Sequence, residues 1–301
     1  MTRKFISRLI MVAGVLVAIA ALHWTRLDCL AWYAWKITFL PQEARIHAAD
    51  LMRYRVDIEG RPLKGVDDDV SALTYNPERD TLFTVLNNKP LIVELTLEGL
   101  LLRQIRVIGA RDLEGMTYVA QNRYVIAEER KQRLWVVSID DDTHAIDLNK
   151  APGLTLAIDI FKNRGFEGLA YDERAKRLLV VKESHPPRVL AITGFVEPDP
   201  HMPLDIRITE VISPHSPALF VTDLSSLTMH EPSGHLLLLG DQSKLVVEYD
   251  ADGTPISMLP LWRGFGGLKS SVPQAEGIAT DNKGRIYIVS EPNLFYRFSR
   301  H

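Results

Sequence analysis

A single cysteine, Cys29, stands among 301 residues. That count excludes an internal disulfide framework and any multi-cysteine metal centre. Surplus positive charge is missing too: 35 Lys and Arg against 38 Asp and Glu leave a formal net charge of −3. Nucleic acid is thereby set aside as a partner, because it requires a basic face. From Arg53 onward no amphipathic helical stretch exceeds about three turns, which removes βαβ architectures.

Common catalytic signatures are absent as well. His230-Glu231-Pro232-Ser233-Gly234-His235 is one residue too long for a zinc-protease helix, and Pro232 forbids that helix. There is no nucleophile elbow and no phosphate-binding loop. Gly264-Phe265-Gly266-Gly267 lacks dinucleotide spacing. Asp67-Asp68-Asp69 and Asp140-Asp141-Asp142 lack EF-hand spacing and read as solvated turns.

What is present begins at the N-terminus. Arg3, Lys4 and Arg8 precede the uncharged run Leu9–Leu22. Ala18-Ile19-Ala20 fits a signal-peptidase site and a released periplasmic protein. With its aromatic flanks the run also approaches the length of an uncleaved membrane anchor, with Trp24, Trp32, Tyr33 and Trp35 at the interface. Both readings export the remaining chain, and the anchor is favoured. The expected organisation is an anchor or signal segment at 1–25, a juxtamembrane connector at 26–50, and one domain at 51–301.

Within that domain a pattern recurs five times. Ser71-Ala72-Leu73-Thr74-Tyr75, Glu114-Gly115-Met116-Thr117-Tyr118, Glu167-Gly168-Leu169-Ala170-Tyr171, Ser225-Ser226-Leu227-Thr228-Met229 and Glu276-Gly277-Ile278-Ala279-Thr280 align. Each precedes a turn and an apolar strand closed by Asn87, Glu129, Glu183, Asp241 or Glu291, 15 or 16 residues after the opening position. Glu98-Gly99 and Asp252-Gly253 mark tight hairpins further out in the unit. Four antiparallel strands per repeat predict an all-β fold, a β-propeller of five four-stranded blades. A sixth blade has room only in the spacers at 140–163 and 186–220. Residues 196–217, with five prolines, read as an irregular loop or an inserted hairpin. The last unit is one strand short, and Arg53–Ile58 is the spare strand that closes it.

Inner strands of a propeller line its channel, so the opening or closing positions converge. Glu114, Glu129, Glu167, Glu183, Asp241, Glu276 and Glu291 are therefore candidate metal ligands. Crowded carboxylates cannot all remain charged without a cation or raised pKa values. An all-oxygen set suits Ca²⁺ first and Mg²⁺ second. The structural alternative is that blade-end acids accept backbone N–H groups and tie blades together. Asn87, Lys89, Arg130, Lys182, His185 and Lys244 lie beside the acids and are candidate ligand-binding residues for an anionic molecule. Taken singly, Lys89, Arg130, Lys182, His185 and Lys244 each fit a solvated loop charge better.

Asn88-Lys89-Pro90, Asp112-Leu113-Glu114, Gly165–Tyr171, Gln274–Ala279 and Ile286–Phe298 resemble the SdiA-regulated (YjiK-like) family of bacterial β-propellers. The resemblance runs from about Arg53 to Phe298. It implies a calcium-linked propeller of the CarP type at the inner membrane, facing the periplasm, with phytase-like or esterase-like hydrolysis as a further suggestion. The leading expectation is a calcium-binding module for binding or sensing. A metal-dependent phosphoester hydrolase and a protein-interaction platform are the alternatives.

Overall fold

Each repeat becomes one antiparallel sheet. The computed structural model describes residues 3–301 apart from 68, 157, 159–164, 184–186, 199, 200, 202, 213–215, 217 and 222. The chain opens with helices α1 (Arg3–Trp24) and α2 (Leu27–Thr38), followed by strand β1 (Tyr54–Pro62). Blade 1 holds β2 (Val70–Asn76), β3 (Thr81–Leu86), β4 (Leu91–Leu95) and β5 (Leu101–Ile108). Blade 2 holds β6 (Leu113–Ala120), β7 (Arg123–Glu128) and β8 (Arg133–Ser138). The short β9 (Ala145–Asp147) then crosses back to lie parallel to β5, and β10 (Gly153–Thr155) completes blade 2. Blade 3 contains β11 (Phe166–Asp172), β12 (Arg177–Lys182), β13 (Arg188–Thr193) and β14 (Arg207–Ile212). Blade 4 contains β15 (Ser226–His230), β16 (His235–Gly240), β17 (Leu245–Tyr249) and β18 (Pro255–Pro260). Blade 5 has β19 (Gln274–Thr280), β20 (Ile286–Glu291) and β21 (Leu294–Arg300), with β1 as its outer strand.

The ring is a five-bladed propeller. β1 and β21 pair antiparallel from Tyr54↔Arg300 to Pro62↔Leu294, so the two ends of the chain close one sheet. The spacers that left room for a sixth blade instead supply β9, β10 and β14. β14 was not foreseen, because five prolines crowd the segments around it; they stand outside Arg207–Ile212, which pairs with β13 with one bulge at Val211.

Apolar side chains from facing blades make the core. Each of five buried clusters sits between two neighbouring blades. Leu237, Leu239 and Val246 of blade 4, for instance, meet Ile278, Ile286 and Phe298 of blade 5. Near-continuous apolar strands such as Leu236–Leu239 are covered on both faces, which is why they lack alternation.

The expectation of a membrane-crossing N-terminal helix finds no support in the structure. α1 is helical, but among the described residues no helix is long and apolar enough to cross a membrane. Arg3, Lys4 and Arg8 occupy its first turns, and the uncharged run left is shorter than the roughly 20 residues that a bilayer needs. α2 packs on the propeller. Cys29, Tyr33 and Ile37, four residues apart, form its buried face. The Tyr33 and Tyr249 hydroxyls lie 2.7 Å apart, and the Phe220 N–H donates to the Tyr33 hydroxyl at 3.0 Å. Trp32 stacks on Phe220 with ring centres 5.2 Å apart. Helix α2 ends at Thr38, and a 3-10 turn over Gln42–Arg45 follows Pro41.

Candidate functional site

The opening acids owe their position to local breaks in strand register. In blade 2, Leu113 pairs with Glu128 and Gly115 with Ala127, so Glu114 is left over. In blade 5, Ala275 pairs with Ser290 and Gly277 with Val289, leaving Glu276. Blade 3 slips between Phe166 and Leu169, over Glu167 and Gly168. A bulge turns one side chain out of the regular alternation, here toward the other blades. The glycines that follow permit this crowding. A Cβ on Gly277 would stand 2.4 Å from the Ala72 carbonyl carbon, and one on Gly168 would stand 2.7 Å from the Ser226 Cα.

The carboxylates converge at one mouth of the channel. Desolvation pushes the Glu114 carboxyl up to about 8; Glu129, Asp112 and Glu291 raise it further, while Ser71 favours its charged form. Burial takes Glu276 to about 9, reinforced by Asp241, Glu291 and Glu114 and opposed by Gln274. Glu167 is driven well above the usual carboxylate range by burial, then by Glu114, Glu129, Glu183 and Glu276. Glu129 and Asp241 are raised as well, chiefly by burial. All seven acids named from the sequence thus act on one another across blades 2 to 5. The tightest group is Asp112, Glu114 and Glu129, whose ligand atoms lie within 4.8 Å of one another. At that separation and an effective dielectric of about 20, two like charges repel by roughly 3.5 kcal/mol.

Two contributors escaped the sequence reading. Asp112 and Asp223 each stand two residues before an opening position, at Glu114 and Ser225. Burial raises Asp223 to about 6, with Asp241 and Glu183 adding to it. Their shared offset was visible in the repeat alignment, although only the opening and closing residues were followed. Blade 1 departs from the pattern: Ser71 is buried at the opening position, and Asn87 is half-buried at the closing one.

Some acids also hold neighbouring blades. Glu129 Oε1 accepts the Gly165 N–H at 3.1 Å, and Asp241 Oδ1 accepts the Ala275 N–H at 3.1 Å. The structural role therefore coexists with the clustering.

The cationic candidates divide. Arg130 Nε is 2.8 Å from Asp112 Oδ2. Together with Asn87, Arg111 and Lys131 it lines a cleft of about 520 Å³ beside the tightest acidic group. Lys244 lies 3.8 Å from Asp241, and its ammonium donates to the carbonyls of Val272 and Pro273 at the junction of blades 4 and 5. Lys89 is exposed and pairs with Asp67 at 2.8 Å. Lys182 is buried at the end of β12, opposite Phe166. His185 lies outside the described residues.

At the opposite mouth, a cavity of about 230 Å³ is bordered by Tyr75, Tyr118, Tyr171, Thr228 and Thr280. These stand at the fifth position of each repeat or next to it, and among the described residues no carboxylate group as tight as that of Asp112, Glu114 and Glu129 occurs there.

A five-bladed propeller with a ring of buried carboxylates at one mouth is the class of protein defined by this fold and site. The chain belongs to the SdiA-regulated family, whose pattern it matches over residues 47–299. Among solved structures, a luciferin-regenerating enzyme is similar at 12% identity and a TM-score of 0.51, with 81% of this chain and 95% of that one covered. A chain of a nidogen–laminin complex is similar at 12% identity and a TM-score of 0.47, with 79% and 84% covered. The first of these likenesses speaks for the fold alone.

Proposed function

We propose that the acidic mouth binds Ca²⁺ and that the propeller works as a calcium-responsive binding module. The supporting observation is the group formed by Asp112, Glu114 and Glu129, with ligand atoms within 4.8 Å of one another. Ca²⁺ holds oxygens at 2.3–2.6 Å, so ligands on opposite sides of it are about 5 Å apart. The donors are all carboxylates, which suits a hard cation and gives no reason to expect zinc or copper. Mg²⁺ fits less well, because its near-ideal octahedron at 2.0–2.1 Å demands a tighter and more regular set. Glu167, Glu276 and Glu291 surround the group and supply further negative charge. Binding would replace protons held by Glu114 and Glu276 and draw blades 2, 3 and 5 together, which is the basis of a response.

A second reading, phosphoester hydrolysis, draws on the cleft beside this group. Arg111, Arg130 and Lys131 would receive the phosphoryl oxygens, and the cation would polarise them. Calorimetric titration of the full chain with Ca²⁺ tests the first reading. Saturable binding in the wild type, lost in the Glu114→Gln, Glu276→Gln double variant, supports it; no binding heat and no calcium-dependent shift in melting temperature refute it. Release of phosphate from an inositol phosphate, dependent on Ca²⁺ and abolished by Arg130→Ala, supports the hydrolase. The absence of turnover with Ca²⁺ bound removes it.

A further inference from the structure

A second, oppositely charged site lies on the other side of the ring, where the hairpins of the inner strands turn. The hairpin between β15 and β16 in blade 4 and that between β19 and β20 in blade 5 meet the residues just before β1 and the end of β21. Between them is a cleft of about 280 Å³ whose polar lining is His47, Tyr54, His230, Ser233, Lys283 and Arg300, with no carboxylate. We propose that this cleft binds a phosphate-type oxyanion. The inference is independent of the acidic mouth.

The donors are placed for such a ligand. Lys283 and His47 have no ion-pair partner among the described residues, and both side chains border the cleft. Arg300 Nη2 is 3.8 Å from Asp50, a loose pair in which both side chains remain about half exposed, so its guanidinium keeps donors for an anion. Asp281, the acid nearest to Lys283 in sequence, is already committed. It accepts the backbone N–H groups of Lys283 and Arg285, the Arg285 side chain and the Tyr287 hydroxyl.

His230 is part of the lining. It is only 5% exposed, and its Nδ1 is 2.7 Å from the Ser233 hydroxyl. Its Nε2 is on the side of Gly284, 3.3 Å from where a Cβ on that glycine would stand. The imidazole is pushed down to about 4, first by burial and then by His235 and Arg300. Asp50, Asp281 and Glu248 act on the Tyr54 hydroxyl from behind the lining, but none of them borders the cleft, and the lining itself offers Lys283, Arg300 and His47 as donors. An oxyanion supplies the charge and the acceptors to match them.

The construction of the site gives its occupation a consequence. Its walls come from both chain ends and from two blades, and the Tyr54 hydroxyl already donates to the Gly284 carbonyl at 2.7 Å. A ligand bound here ties the closing strand β1 to blades 4 and 5, so binding to the folded state raises the melting temperature.

The test uses the full chain in EDTA, which keeps calcium out of the acidic mouth, at constant ionic strength set with sodium chloride. Inorganic phosphate and glycerol phosphate are titrated separately, by calorimetry and by thermal unfolding. Saturable binding with a Kd of about 1 mM or tighter is expected for at least one of them. Saturation by glycerol phosphate alone assigns the site to a phosphate ester; saturation by both assigns it to the free group. Lys283→Ala and Arg300→Gln should each weaken binding about tenfold, as expected for a charge-assisted hydrogen bond lost. Lys64→Ala, which removes an equal charge from an exposed turn, should leave it unchanged. Failure of both ligands to saturate, or an equal loss in Lys64→Ala and Lys283→Ala, overturns the proposal.

Discussion

Glu129, which closes the inner hairpin of blade 2, accepts a 3.1 Å hydrogen bond from the backbone N–H of Gly165 at the start of blade 3. The same carboxylate belongs to the tightest acidic group. One side chain is therefore both a tie between blades and a candidate ligand, and isosteric substitution separates these roles. Glu129→Gln keeps the acceptor and should leave thermal stability in EDTA near that of the wild type while weakening Ca²⁺ binding. Glu129→Ala leaves the Gly165 N–H unmatched and should cost about 1–3 kcal/mol in denaturant unfolding. Equal stability losses in the two variants would contradict this division.

Stability without calcium should fall as pH rises. Glu114 and Glu276 titrate near 8 and 9 in the folded chain, against an ordinary 4.5. Between 4.5 and about 9 the folded state holds more protons than the unfolded one, so unfolding free energy decreases with pH across that window. Melting temperatures in EDTA should decline from pH 5 to pH 9 and level off above it. Glu114→Gln should flatten the slope. At pH 7 the binding of Ca²⁺ should release protons, seen as a calorimetric heat that depends on the buffer's ionisation enthalpy. A flat profile in EDTA would mean that these acids are solvated.

Gly277→Ala tests the close approach of blades 5 and 1. The added methyl would meet the Ala72 carbonyl carbon at 2.4 Å and its oxygen at 2.5 Å, both backbone atoms with little room to yield. Overpacking of this kind costs about 1–3 kcal/mol or more, measured by urea unfolding. A Gly14→Ala control in α1, where a Cβ has nothing within 4 Å, should not destabilise.

Tyr33→Phe probes the docking of α2. The change removes the hydroxyl that lies 2.7 Å from Tyr249 and receives the Phe220 N–H, while the ring still fills its place. A loss of about 1–3 kcal/mol is expected, since buried partners are left unmatched. Unchanged stability would show that the Tyr33 hydroxyl adds nothing to the docking of α2.

The blades were legible in the sequence because a propeller repeats its spacing, and 15 or 16 residues between opening and closing positions survive any variation in the outer strands. Closure was legible for the same reason: Leu294–Arg300 ended one strand early, and a strand near Tyr54 had no partner of its own. The bulges at Glu114, Glu167 and Glu276 were hidden, because register depends on the partner strand rather than on spacing along one chain. Asp112 and Asp223 were overlooked since neither opens nor closes a hairpin, and their burial arises only when the blades meet. At the N-terminus, Tyr33 read as an interfacial aromatic, whereas in α2 it belongs to an apolar face that the propeller covers.

The central claim is that a cation belongs among Asp112, Glu114 and Glu129. Crystals of the full chain grown in EDTA and soaked in calcium chloride test it most directly, by the difference density at the acidic mouth. The account predicts one strong peak at 2.3–2.6 Å from oxygens of at least two of these three residues, absent in crystals of Glu114→Gln. A mouth without a peak at a calcium concentration that saturates any binding seen in solution would contradict it, as would a calcium peak elsewhere on the protein.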